Sequence, residues 1–166
     1  MGRGSTGLIS LVATALIAGC SPAADAEVQG GQGEVAAQAA HPVSGLAIVP
    51  VVVAGPDGSH EFRAELADTP QSQAQGLMYR TELGPDEAMI FPSDQPTARA
   101  FWMKNTPIPL DIIFVGLDGR ISNIAAMTEP YSEKQVYSVG SASAVLEIAG
   151  GRAAELGIEP GDRVSW

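Results

Sequence analysis

Residues 99–111 read Arg-Ala-Phe-Trp-Met-Lys-Asn-Thr-Pro-Ile-Pro-Leu-Asp, and residues 112–117 continue Ile-Ile-Phe-Val-Gly-Leu. Two short runs rich in apolar, aromatic and β-branched residues, Ala100–Lys104 and Asp111–Leu117, read as strands. The loop between them, Asn105–Leu110, carries Pro107 and Pro109, which stiffen it and remove backbone donors. An antiparallel pairing is expected, with Lys104 opposite Asp111, Met103 opposite Ile112, Trp102 opposite Ile113 and Phe101 opposite Phe114. Alternation then puts Phe101, Met103, Ile112 and Phe114 on a core face, and Trp102, Lys104, Asp111 and Ile113 on the other.

The flanking sequence extends the same pattern. Ala47–Ala54 is an apolar run broken by Pro50, which suggests an edge strand. Pro56-Asp57-Gly58 is a turn, and His60–Ala67 alternates, with Phe62, Ala64 and Leu66 on one face. Thr69 and Pro70 mark a helix start, followed by Ala74, Leu77 and Met78 at the spacing of a short amphipathic helix. Ala88–Phe91, Arg120–Met127, Ala142–Ala149 and Arg163–Trp166 are further strands. Asp118-Gly119 forms a hairpin turn, and Gly151–Leu156 forms a helical turn closed by Gly157. Thr128–Ser141 reads as a long connection. The expectation is a mainly β fold: a single antiparallel β sandwich or barrel-like domain of about seven strands with two short helices.

Several of these stretches carry a resemblance. Phe101-Trp102-Met103-Lys104-Asn105-Thr106, with Ala67-Asp68-Thr69-Pro70, Gly76-Leu77-Met78-Tyr79-Arg80, Leu146-Glu147 and Gly161-Asp162-Arg163-Val164, is similar to the prokaryotic family called domain of unknown function 192. The likeness runs from about Val52 to the C-terminus. The chain departs at Ala88-Met89-Ile90, where Gly-Met-Leu is usual, and at Gln71 and Ser72, where acids are common. The resemblance implies a small β-rich domain, often exported, and brings no established reaction with it.

The N-terminal end speaks to location. Leu8–Ala18 is an apolar stretch of eleven residues behind Arg3, too short for the ~20 residues of a membrane span. It runs into Leu16-Ile17-Ala18-Gly19-Cys20, which resembles the lipobox of bacterial lipoproteins. Residues 1–19 therefore read as a lipoprotein signal peptide, with Cys20 as the lipidated residue and the membrane as its partner. Cleavage after Ala24-Asp25-Ala26, as in an ordinary secretory leader, is the alternative. Two or more acyl chains anchor firmly, at ~0.8 kcal/mol per buried methylene. Ser21 resembles an outer-membrane sorting signal, giving a cell-envelope location facing the periplasm. Residues 20–45 are rich in Ala, Gly, Gln and Pro and read as a tether with a reach of roughly 25–30 Å. Residues 46–166 form the globular domain.

Composition excludes several function classes. Cys20 is the single cysteine, so no disulfide, thiolate metal site or cysteine nucleophile is expected in the domain. Nine basic residues less Arg3 leave eight against nineteen acidic ones, a net of −11, which argues against nucleic acid. His41 and His60 are read as solvated, and Met78, Met89, Met103 and Met127 lack paired spacing and are assigned mainly to packing. No cofactor or metal is expected.

The candidate ligand site is Trp102, Lys104, Asn105, Thr106 and Asp111, joined by Arg80. Trp102 would stack, Lys104 and Arg80 would recognise an anionic or carbonyl group, and Asp111 would orient Lys104. The same Lys–Asp pair under a Trp also occurs as plain half-buried sheet, worth ~0–1 kcal/mol. Arg80 equally reads as a helix-end cap, and Glu147 as an outward acid or as a counter-charge to Arg80 or Lys104. The functional expectation is a binding or envelope-accessory module for a small molecule, a saccharide or an envelope protein. Two alternatives stand beside it: a hydrolase of envelope polymer using Asp111 and Glu147 as acid and base, and a structural partner of envelope proteins through a strand edge.

Overall fold

The computed structural model of the 166-residue chain describes residues 39–166. The expected signal peptide, Cys20 and most of the expected tether lie outside the described residues. Seven strands follow in chain order: β1 (Ile48–Gly55), β2 (Gly58–Leu66), β3 (Glu87–Phe101), β4 (Leu110–Gly116), β5 (Ile121–Ala125), β6 (Val136–Ala149) and β7 (Arg163–Ser165). Two short helices, α1 (Pro70–Gln75) and α2 (Arg152–Leu156), interrupt them. The strands make one sheet in the order β5-β4-β6-β3-β2-β1-β7. It is mixed rather than purely antiparallel, because β2 and β3 run parallel, Arg63 opposite Glu87. The connection between them holds α1 and the turns after it, the long crossover a parallel pair requires.

The sheet curls into a half-barrel rather than stacking as a sandwich. Its outermost strands approach each other at a single bridge between Arg120 and Arg163. Every strand contributes to one apolar cluster inside the curl, which includes Val51, Phe62, Ile90, Ile113, Ile121, Leu146, Ile148 and Val164. Ala153 of α2 packs against it as a plug. A second cluster, with Met89, Phe91, Ile112, Phe114 and Val145, takes its strand residues only from β3, β4 and β6, and lies on the other face of the sheet. Leu77 and Met103 cover that face from the connections. Alternation along β6 divides the two clusters: Leu146 and Ile148 go inward, Val145 and Glu147 outward.

The expected hairpin does not form. β4 pairs with β5 and β6, whereas the end of β3 pairs with β6, Phe101 opposite Val136. The reason is the length of β3: fifteen residues rather than the four of Ala88–Phe91. Phe101 ends that strand, and Trp102–Lys104 is loop. Val136–Ser141, expected as connection, is the first half of β6 and supplies the partner.

Local signals behave as chemistry dictates. Thr69 caps α1 with Ser72 completing the capping box, and Pro70 opens the helix. Pro50 is tolerated because β7 pairs with β1 only at Val52–Ala54, leaving the proline side of β1 free. The domain also begins earlier than residue 46. Ala40 bridges Ala47, and His41 sits 3.5 Å from Glu65 and 3.3 Å from Arg80, so it is a packed residue rather than a solvated one.

Candidate functional site

A cleft of about 340 Å³ opens on the outer face of the sheet, between α1, the turn after it, and the end of β3. Its walls are built by three anchors. Gln73 donates through Nε2 to the carbonyls of Ala67 (3.1 Å) and Pro92 (2.8 Å), fixing α1 beside β3. Phe101 stacks edge-on against Phe91 (5.1 Å) and Phe114 (6.1 Å), so the strand end is held by the outer core. Met103 is buried, and its N–H donates to the Ser132 carbonyl (2.9 Å), pinning the loop that carries Trp102 and Lys104.

That loop is closed by backbone strain. Tyr79 and Tyr131 hold positive φ (65° and 61°), a costly region for side chains of this size, and Asn105 holds it at 56°, where asparagine is tolerated. Hydrogen bonds enforce it: Tyr79 N–H to the Asn105 carbonyl (2.7 Å) and Tyr131 N–H to the Thr106 carbonyl (3.0 Å). Both tyrosine rings remain exposed.

Three ionisable groups line the cleft. Lys104 Nζ lies 5.0 Å from the Trp102 ring centroid, a cation–π contact worth about 0.5–1 kcal/mol at an exposed site. The Arg99 guanidinium sits 5.5 Å over Phe101, bonds Ser93 Oγ and Gln73 Oε1 (3.3 Å), and is pushed below its usual pKa by burial. The third is Glu147, at 4 % exposure. Its cross-strand neighbours are Met89 and Ile112. Among the described residues its carboxyl has no hydrogen-bond or ion-pair partner, and burial pushes its pKa up to about 8 from the ordinary 4.5. Burial thus favours its protonated, uncharged form near neutral pH. None of the ion pairs among the described residues involves Arg99, Lys104 or Glu147.

The six expected site residues therefore separate. Trp102, Lys104 and Thr106 line the cleft. Asn105 shapes the loop behind it, its amide 3.8 Å from Met78 Sδ. Arg80 is withdrawn from it, paired with buried Glu65 at 2.7 Å. Asp111 belongs to the opposite face. It is fully buried and accepts from the N–H groups of Met127 (2.8 Å), Gly151 (2.9 Å) and Ala153 (2.8 Å). It holds α2 in place of a side-chain cap, because Gly151 at the N-cap has none to offer. Lys104 has no contact with it. Asp111 pairs in register with Ile148, while Glu147 pairs with Ile112, so the two carboxylates point to opposite faces and cannot act as acid and base in one cleft. Arg99 was not among the expected residues, although it opens the stretch that reads most distinctively. Glu147 faces the outer side of the sheet, as alternation requires, but it is buried there rather than an exposed surface acid, and it pairs with neither Arg80 nor Lys104. Among the described residues no group of three His, Cys, Asp or Glu stands ready for a metal ion.

The model of the family DUF192, described as an uncharacterized ACR, matches residues 52–166. This chain belongs to DUF192. Two solved structures are similar to it. One, a protein of unknown function from Novosphingobium aromaticivorans DSM 12444, is 61% identical over 80% of this chain and 95% of its own, with a TM-score of 0.77. The other, from Sinorhizobium meliloti 1021 and described as a candidate transcription regulator, is 37% identical over 72% of this chain and 94% of its own, with a TM-score of 0.70. No curated protein matches the chain. The 61% identity reaches across most of the DUF192 domain and brings no activity with it.

Proposed function

We propose that this DUF192 chain is a lipid-anchored envelope protein whose domain binds a small ligand bearing an anionic or carbonyl group. The observation that carries the binding reading is a cleft in which Arg99 and Lys104 stand without acidic partners, beside a Trp102 ring that is 41% exposed. In a chain of net −10, cations left without acids in a concave site are poised for a negative group. Aromatic walls with a few fixed polar groups are the usual make-up of ligand pockets. Direct binding to nucleic acid lacks support at this charge, since phosphate neutralisation supplies most of that affinity. The envelope location rests on the lipobox-like run ending at Cys20.

The test uses the full chain in detergent, screened by thermal shift against small carboxylates. Lys104→Ala and Trp102→Ala should each lose the response of the parent. A response kept by both variants places the ligand elsewhere. Separately, Cys20→Ser should abolish acyl labelling in cells, and a label that persists removes the anchor.

A further inference from the structure

Resting on the cleft proposed above, we infer that its ligand is an acidic sugar: a single pyranose-sized ring carrying a carboxylate, with hydroxyls directed at Glu147. Glu147 lies at the floor of the cleft, walled by Phe91, Phe101 and Leu77, and nothing among the described residues satisfies it. Its oxygens are not sealed off, since no buried side-chain oxygen among the described residues lacks a partner; they open on the cleft, free to bond what enters it. Asp111, one residue further along the paired strands, collects three N–H donors. The fold can therefore satisfy a carboxylate here, and does not do so for Glu147.

The protonation state selects the partner. A protonated carboxyl donates one hydrogen bond and accepts others, the complement of a hydroxyl group rather than of an ammonium. At the mouth the demand is the opposite, since Arg99 and Lys104 call for a negative charge. Beside Lys104 at the mouth stands the part-exposed Trp102 ring, a flat apolar surface suited to the C–H face of a sugar ring. The volume of about 340 Å³ would hold roughly eleven waters at ~30 Å³ each, room for one substituted ring rather than an oligomer. The charged groups sharing the cleft with Glu147 are Arg99 from β3 and Lys104 from the following loop; α1 faces it with Gln73 and Gln75, and the neighbouring strands with Met89 and Ile112. Among the described residues no other titratable side chain lines the cleft. Ligand affinity should accordingly fall as the pH rises through about 8, where Glu147 ionises and repels an acidic ligand.

Calorimetry on the full chain in detergent tests this with glucuronate, acetate, glucose and glutamate as probes. Glucuronate should bind at least tenfold tighter than acetate or glucose. Lys104→Ala and Glu147→Leu should each weaken it tenfold or more. Glu147→Gln, which still donates and accepts, should restore most of the affinity lost in the leucine variant and abolish the alkaline fall. If acetate binds as well as glucuronate and still requires Lys104, the anion site stands and the sugar inference is overturned. Tighter binding of glutamate, lost in Glu147→Gln, overturns it in favour of an ammonium ligand. If no probe binds, the cleft reading itself fails and the inference falls with it.

Discussion

Asp111 and Glu147 are both buried carboxylates, on adjacent strands and one register step apart, yet their surroundings differ completely. Asp111 faces the inner core at 0% exposure, and its two oxygens receive three backbone N–H groups. Glu147 faces the outer cluster at 4% exposure, and among the described residues its oxygens receive nothing. Burial alone therefore does not distinguish an architectural acid from a functional one. Accounting for donors does: an acid that organises the backbone is fully satisfied by it, whereas an acid kept for a ligand is left waiting at the floor of a cleft.

The sharpest way to break the comparison is to remove the architectural member. Asp111→Ala would leave three N–H groups without an acceptor, that of Ala153 buried and those of Met127 and Gly151 part-buried, at up to about 1–3 kcal/mol each. It would also remove the carboxylate that caps the N-terminus of α2. The expected loss of stability is at least about 4 kcal/mol, read as a fall in the urea midpoint. A loss under about 1 kcal/mol would mean that water replaces the carboxylate freely, and the contrast with Glu147 would collapse.

The next largest effect is a dependence on pH. Between about 4.5, its ordinary value, and about 8, its value in the fold, the folded state keeps a proton on Glu147 that the unfolded chain has released. Stability must therefore decline as the pH rises across that interval. At ~1.4 kcal/mol per pH unit, the decline from pH 5 to pH 7 attributable to this group is about 2–3 kcal/mol. Glu147→Gln, with no proton to lose, should remove that part of the slope. A variant whose midpoint follows the parent at every pH would show that Glu147 is solvated and charged in the fold.

The contrast between these two acids also shows what a linear reading can reach. Strand alternation on either side of Glu147 already requires it to face away from Leu146 and Ile148, and turn chemistry locates Thr69, Gly119 and Gly157 correctly. The mainly β architecture follows from the same periodicity. What the local pattern misses is partner choice. Trp102–Lys104 looks like the end of a short strand begun at Ala100, but Phe101 is the last residue of a strand begun at Glu87, and its partner Val136 lies in a polar-looking stretch. Pro92 and Pro96 interrupt the apolar pattern of β3, and the register shift between Pro92 and Thr97 carries the strand past them. The parallel pairing of β2 with β3 is likewise a tertiary outcome that two short apolar runs cannot announce. Arg99 escapes notice for a related reason: its place beside Phe101 and Gln73 exists only once α1 has docked.

The smallest expected effect on stability belongs to the mouth of the cleft. Trp102 is 41% exposed, and its contact with Lys104 lies at the surface. Lys104→Ala forfeits at most the cation–π contact of about 0.5–1 kcal/mol, less whatever side-chain entropy the truncation releases, so its urea midpoint should stay within about 0.5 kcal/mol of the parent. Ordinary surface substitutions fall in that range. The loop does not depend on Lys104 for its shape, because the anchors are backbone bonds from Met103, Tyr79 and Tyr131 together with the buried Met103 side chain. A stability loss above about 2 kcal/mol would assign Lys104 to the scaffold, alongside Asp111, and leave Arg99 as the single cation available to a ligand. A change within the expected range, joined to loss of carboxylate binding, would separate the two acids by role: Asp111 holds the domain together, while Glu147 shares its cleft with a lysine the fold does not need.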